Sequence, residues 1–101
     1  MVKHIVFWKL KEMVNGRSKQ ENALKIKALL EDLNGKIPGM ITLEVGIDFS
    51  KTENSADIAL YSEFENKKSL DDYQENPLHK AVMPFIAEAR EERKVIDYDR
   101  S

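Results

Sequence analysis

Val2 to Leu10 carries apolar residues in both phases of an extended chain. Ile5 and Phe7 fall on one face, and Val6, Trp8 and Leu10 on the other. Such a pattern predicts a central strand covered on both sides. A polar loop with Asn15 and Gly16 follows. Ser18 and Glu21 have capping-box spacing, so a helix should begin there. Its apolar stripe is Ile26, Leu29, Leu30, Leu33 and Ile37, with Glu21/Lys25 and Lys27/Glu31 four apart on the wet side. Gly35 suits a C-terminal cap, and Pro38-Gly39 a turn. From Met40 to Phe49, the residues Ile41, Leu43, Val45, Ile47 and Phe49 alternate with Thr42, Glu44, Gly46 and Asp48, which predicts a strand with one buried face. A third strand is expected over about Ala56 to Phe64, after a polar loop.

The C-terminal third reads as a short helix holding Leu70 and Tyr73 that ends at Asn76, because Pro77 follows. A second helical piece carries Leu78, Val82, Phe85, Ile86 and Ala89. Pro84 either kinks it or opens a new helix. Lys94 to Asp99 closes the chain as a strand, and the charged run Arg90 to Lys94 reads as a solvated face. The order β-α-β-β-α-β predicts an α+β domain with helices on one face of an antiparallel sheet and the first and third strands central. The opposite face also carries apolar residues. The economical cover for it is the same face of a second copy, which gives a homodimer.

Composition narrows the class. One domain, residues 1–101, accounts for the length. With 34% charged residues and 42% hydrophobic ones, the chain is globular. The net charge of -2 argues against a nucleic-acid partner. No cysteine is present, so disulfides, thiolate zinc sites and cysteine nucleophiles are excluded. The N-terminal apolar run is broken by Lys3 and Lys9 and does not read as a signal peptide, and no window reaches the length of a membrane span. The expected location is the cytoplasm, with no membrane partner.

The candidate chemistry centres on Tyr73-Gln74-Glu75-Asn76-Pro77-Leu78-His79. An imidazole titrates near neutral pH and can take a proton from a carbon next to a carbonyl. A phenol can donate a hydrogen bond to the enolate oxygen that develops. His79 and Tyr73 are therefore the candidate catalytic pair. The plainer reading has His79 bracing the turn and Tyr73 packing its ring. His4, on the same strand face as Val6 and Trp8, is either a pocket residue or a hydrogen-bonded core histidine. Trp8, Phe64, Phe85 and Tyr61 either wall a ligand cavity or form plain core. Asp57 completes the candidate ligand-binding set. His4 and Asp57 would offer two ligands to a metal if they faced each other, but their spacing matches no metal motif. Neither metal nor cofactor is expected.

Several short segments, in order, resemble one family: Lys3-His4-Ile5-Val6, Ile37-Pro38-Gly39, Val45-Gly46, Phe64-Glu65, Tyr73 through Pro77 to His79, Pro84, and Val95-Ile96-Asp97-Tyr98. Together they are similar to the stress-responsive A/B barrel (Dabb) proteins of the dimeric α+β barrel group. The resemblance implies a ferredoxin-like monomer with a four-stranded antiparallel sheet that packs on a partner's sheet to form a barrel. One branch of that family is a set of cofactor-free polyketide cyclases acting by intramolecular aldol condensation. Its working Tyr and His match Tyr73 and His79, and a further His matches His4. This chain departs from that branch at Asn76 and Asp57, where the cyclase has His.

Three functions follow. The first is a site for a small apolar or phenolic molecule between sheet and helices, with cofactor-free Tyr/His acid–base chemistry if it is an enzyme. The second is a non-catalytic dimeric stress or binding protein. The third is an oxygenase or haem-handling enzyme like those of neighbouring barrel families, for which the sequence carries no cofactor motif.

Overall fold

A computed structural model describes residues 1–100; Ser101, the last residue of the expected single domain, lies outside the described residues. In chain order the elements are β1 (Val2–Leu10), β2 (Met13–Val14), β3 (Arg17–Ser18), α1 (Lys19–Glu31) and β4 (Met40–Ile47). They continue with β5 (Ile58–Phe64), α2 (Lys67–Glu75), α3 (Pro77–Ala89) and β6 (Arg90–Asp99). The main sheet is antiparallel with order β4-β5-β1-β6, so the first and third major strands are central, as their apolar patterning requires.

Register fixes the two faces. Val2, His4, Val6, Trp8 and Leu10 of β1 are buried toward the helices, beside Ile58, Leu60, Ser62 and Phe64 of β5 and Leu43 and Val45 of β4. Ala23, Ile26 and Leu30 of α1, and Val82, Ile86 and Ala89 of α3, close the core over them. The other sheet face carries Ile5, Phe7, Ala59, Tyr61, Ile96 and Tyr98 with no layer over it; Phe7 is 41% exposed and Ile96 52%.

The α1 capping box forms as expected, with Ser18 Oγ accepting from Glu21 N at 3.2 Å and Glu21 Oε1 accepting from Ser18 N at 3.0 Å. Glu21 is thereby drawn toward the cap rather than toward Lys25. The other expected pair closes, with Lys27 Nζ 2.7 Å from Glu31. The apolar stripe outlasts the helix: Leu33 and Ile37 are buried from the turns after Glu31.

Five details differ from the pattern reading. The loop at Asn15-Gly16 is a small hairpin, β2–β3. Its two turn residues have φ of 53° and 76°, the left-handed pair that a tight hairpin needs. The strand expected to reach Phe49 stops at Ile47, and Ile41, Ile47 and Phe49 are exposed. A register shift between Met40 and Thr42 throws Ile41 out of phase, and Phe49 lies past the last strand pair. The third strand begins at Ile58, two residues later than expected. Pro84 sits inside one continuous α3 instead of starting a helix. The carbonyl it leaves without a donor is that of Lys80, on the exposed side, where water can serve. Finally, β6 begins at Arg90 rather than Lys94, because β1 pairs with it out to Leu10.

Candidate functional site

α2 and α3 meet at one residue. Asn76 is extended (φ -65°, ψ 131°), caps the end of α2 through its N–H to the Tyr73 carbonyl, and accepts from Leu78 N through its side chain at 2.9 Å. Pro77 follows at N1, where no backbone donor is needed. In an unbroken helix, residues six apart are rotated by about 240° and lie about 9 Å apart along the axis. The break folds that separation away: the Tyr73 and His79 rings lie 4.2 Å apart, centroid to centroid.

Both residues line a cavity of about 280 Å³ between the sheet and the two C-terminal helices. His4, Val6 and Trp8 of β1 and Leu60 of β5 form its floor. Tyr73 and Gln74 of α2 and His79, Met83 and Ile86 of α3 form its roof, and Arg90 and Arg93 of β6 stand at its side. Phe64 lies behind it, 5.1 Å from Tyr73 and 6.4 Å from His4.

Three buried side-chain polar atoms among the described residues have no protein hydrogen-bond partner: Trp8 Nε1, Tyr73 Oη and His79 Nδ1. All three residues line this cavity. Burial raises the Tyr73 hydroxyl far above its ordinary pKa, so it stays protonated. Burial also lowers the His79 pKa; the Gln74 carbonyl opposes this, and the charges of His4 and Arg93 add to it. His4 has a different partner. Its Nδ1–H donates to the Asp97 carboxylate across the β1–β6 seam, since a carboxylate only accepts.

The model of the stress-responsive A/B barrel domain matches residues 2–100. The chain belongs to that family. A dimeric, ferredoxin-like protein of unknown function from Bacteroides fragilis is 36% identical; the match covers 98% of this chain and 95% of that one at a TM-score of 0.86. A protein of Arabidopsis thaliana is 24% identical over 100% and 96% of the two chains, with a TM-score of 0.80. The hydroxynitrile lyase of Passiflora edulis is 22% identical over 96% and 90%, with a TM-score of 0.79. These last two likenesses show the fold. No curated protein matches this chain.

Within this A/B barrel domain, the residues singled out from sequence divide in two. His4, Trp8, Tyr73 and His79 come together around the cavity, with Phe64 packed behind. Asp57 and Phe85 lie elsewhere. Asp57 accepts from Leu10 N at 2.7 Å and sits 3.4 Å from Lys19 Nζ, fastening the end of β1. The half-buried Phe85 faces away, with Lys25 Nζ 5.0 Å and the Arg17 guanidinium 5.9 Å from its ring. Tyr61 is on the opposite sheet face beside Lys3 and Glu63. His4 therefore faces Asp97 and not Asp57, which removes the geometric condition for the two-ligand metal arrangement. Pattern reading missed Arg90, Arg93 and Met83. A nine-residue β1 leaves room for a last strand that begins before Lys94, and β6 uses it, pairing with β1 from Arg90 onward.

Proposed function

We propose that this A/B barrel protein binds a compact apolar or phenolic molecule in the cavity of each subunit and performs cofactor-free acid–base chemistry on it. The observation that carries the reading is that the three residues with a buried polar atom lacking a protein partner, Trp8, Tyr73 and His79, all line one cavity. Burying a polar group unpaired costs about 1–3 kcal/mol, and a ligand that pairs all three recovers that cost on binding. The volume suits a single ring with short substituents, since an apolar cavity of roughly 150 Å³ accepts benzene.

The roles follow from the protonation states. Neutral His79 takes a proton from a carbon next to a carbonyl; the C–H electrons form the enolate, whose oxygen accepts from Tyr73 Oη or Trp8 Nε1. When the enolate carbon adds to a second carbonyl, the imidazolium proton passes to the new alkoxide and His79 is neutral again. The subunit pairs through its uncovered sheet face, where Ile5, Phe7, Ile96 and Tyr98 form an apolar stripe. The 36% identical Bacteroides fragilis protein is dimeric, which supports this pairing.

The complete burial of Tyr73 inside the core favours a second reading, binding without turnover, in which Tyr73 and His79 hold the ligand and move no proton. Two measurements separate the readings. Thermal shift with simple phenols and aryl ketones tests binding. Exchange of the methyl protons of acetophenone in D2O, followed by NMR, tests proton abstraction. Exchange catalysed by wild type and lost in His79→Gln supports the catalytic reading. Binding with no exchange supports the second reading, and absence of any binding refutes both.

A further inference from the structure

Arg90 and Arg93 reach the cavity through an irregularity in β6. Residues three apart on a regular strand point to opposite faces. Here Lys9 pairs with Glu92 but Leu10 pairs with Arg90, so Glu91 is one residue too many on β6. The resulting bulge reverses the phase and brings Arg90 to the side that Arg93, opposite Trp8, already occupies. Neither guanidinium lies within ion-pair distance of a carboxylate among the described residues; other Lys and Arg side chains also lack such a partner, but among the residues lining this cavity Arg90 and Arg93 are the cationic ones. Two unpaired cationic forks on one side of a cavity, in a chain with 18 acidic and 16 basic residues, make a local anion site.

We propose that the ligand is a small aromatic or apolar acid, with its carboxylate between Arg90 and Arg93 and its ring inward on Val6, Leu60 and Ile86. The inference rests on the small-molecule reading above and adds the ligand's charge. The cavity floor is apolar at Val6 and Leu60, and Trp8, with its unpaired indole N–H, lies opposite Arg93 in the strand register, so the apolar lining favours a ring and the arginine side an anion. Arg93 already acts on the site, since its charge is one of those that weaken proton binding at His79. A carboxylate seated on Arg93 offsets that charge and strengthens His79 as a base, so binding of the acid prepares the proton acceptor.

The test is calorimetric titration of the full chain with benzoate, salicylate and phenylacetate, each beside its neutral amide. Wild type should bind the acids about tenfold or more tightly than the amides, with the preference falling as salt is raised. In the Arg90→Gln/Arg93→Gln variant the preference should vanish while amide affinity is retained. Arg93 is exposed, so Arg93→Gln alone repeats the comparison without touching the half-buried Arg90. Amides that bind as well as acids, or an acid preference that survives in the variants, overturn the charge assignment and leave the cavity reading intact. Failure of all six compounds to bind wild type overturns both.

Discussion

Replacing Tyr73 by Phe removes one oxygen and nothing else, and the structure gives that change two opposite signs. The Tyr73 ring is fully buried, in contact distance of His79 and Phe64, and those contacts survive. The hydroxyl has no protein partner. A structural hydroxyl with a good hydrogen bond contributes about 0.5–1.5 kcal/mol, and its loss would destabilise by that amount. A buried hydroxyl without one costs about 1–3 kcal/mol when its desolvation is uncompensated. The variant's ligand-free stability should therefore hold or rise, by up to about 2 kcal/mol. For a domain of this size each 1 kcal/mol moves Tm by roughly 4–8 °C. Ligand affinity should move the other way. A hydrogen bond to a charged acceptor is worth about 1.5–3 kcal/mol, so an anionic ligand that accepts a hydrogen bond from Tyr73 Oη should bind about 10- to 150-fold more weakly. The assay is urea denaturation of both proteins, free and with a saturating ligand. A variant whose free form is destabilised by 1 kcal/mol or more would refute the reasoning, because the hydroxyl would then be structural. A variant that keeps full ligand stabilisation would refute it from the other side.

Other consequences are read with simpler measurements. The His79 pKa is depressed, so the base form is present at neutral pH, and acetophenone exchange should rise with pH through a midpoint below 6.5 and then level off; a midpoint above 6.5 would contradict the buried site. The same depression means the unfolded chain takes up that proton first. The stability His79 contributes is present above pH 6.5 and is lost as pH falls toward the folded value, so His79→Gln should flatten that part of a stability–pH curve. Gly39 has φ of +79°, and a Cβ there would lie 2.3 Å from Ser69 Oγ; Gly39→Ala should cost about 2–5 kcal/mol by combining left-handed strain with overpacking, and a loss under 1 kcal/mol in denaturant melts would show that α2 shifts freely. Phe7→Glu, on the uncovered sheet face, should convert a dimer to a monomer in analytical ultracentrifugation, and an unchanged sedimentation coefficient would place the interface elsewhere.

The parts of this molecule that were legible in sequence are those where local pattern and burial coincide. β1 shows both faces apolar because it is central, and Ser18 with Glu21 forms its capping box because nothing tertiary competes for those groups. Position six apart around Asn76-Pro77 marked Tyr73 and His79, and a proline that must end one helix and can begin the next explains why the two rings meet. What was not legible depended on register. Ile41 and Phe49 belong to an alternating series, yet one register shift and one missing partner strand residue leave both in solvent. Arg90 and Arg93 look like part of a charged surface run, and only the bulge at Glu91 turns both toward one cavity. Asp57 and Phe85 stand out in the sequence by residue type alone; their partners, Leu10 N and the Lys25 ammonium, are long-range and leave no local trace.

The cavity-facing polar set is hard to account for by packing alone. Phe at 73, Leu or Met at 79 and Phe at 8 would fill similar space, remove three buried polar atoms without protein partners, and add stability of about 1–3 kcal/mol at each position. Elsewhere in the same core buried polar side chains find partners. The buried hydroxyl of Ser62 is paired with the His4 carbonyl at 2.8 Å, and the buried Asn22 reaches the Arg17 carbonyl. Among the described residues, the buried side-chain atoms without a partner belong to Trp8, Tyr73 and His79, which line one cavity beside a helix break, an aromatic stack and a strand bulge. Unpaired polar groups gathered at a single cavity, in a core that pairs Ser62 and Asn22, are the ground on which the proposed binding site stands.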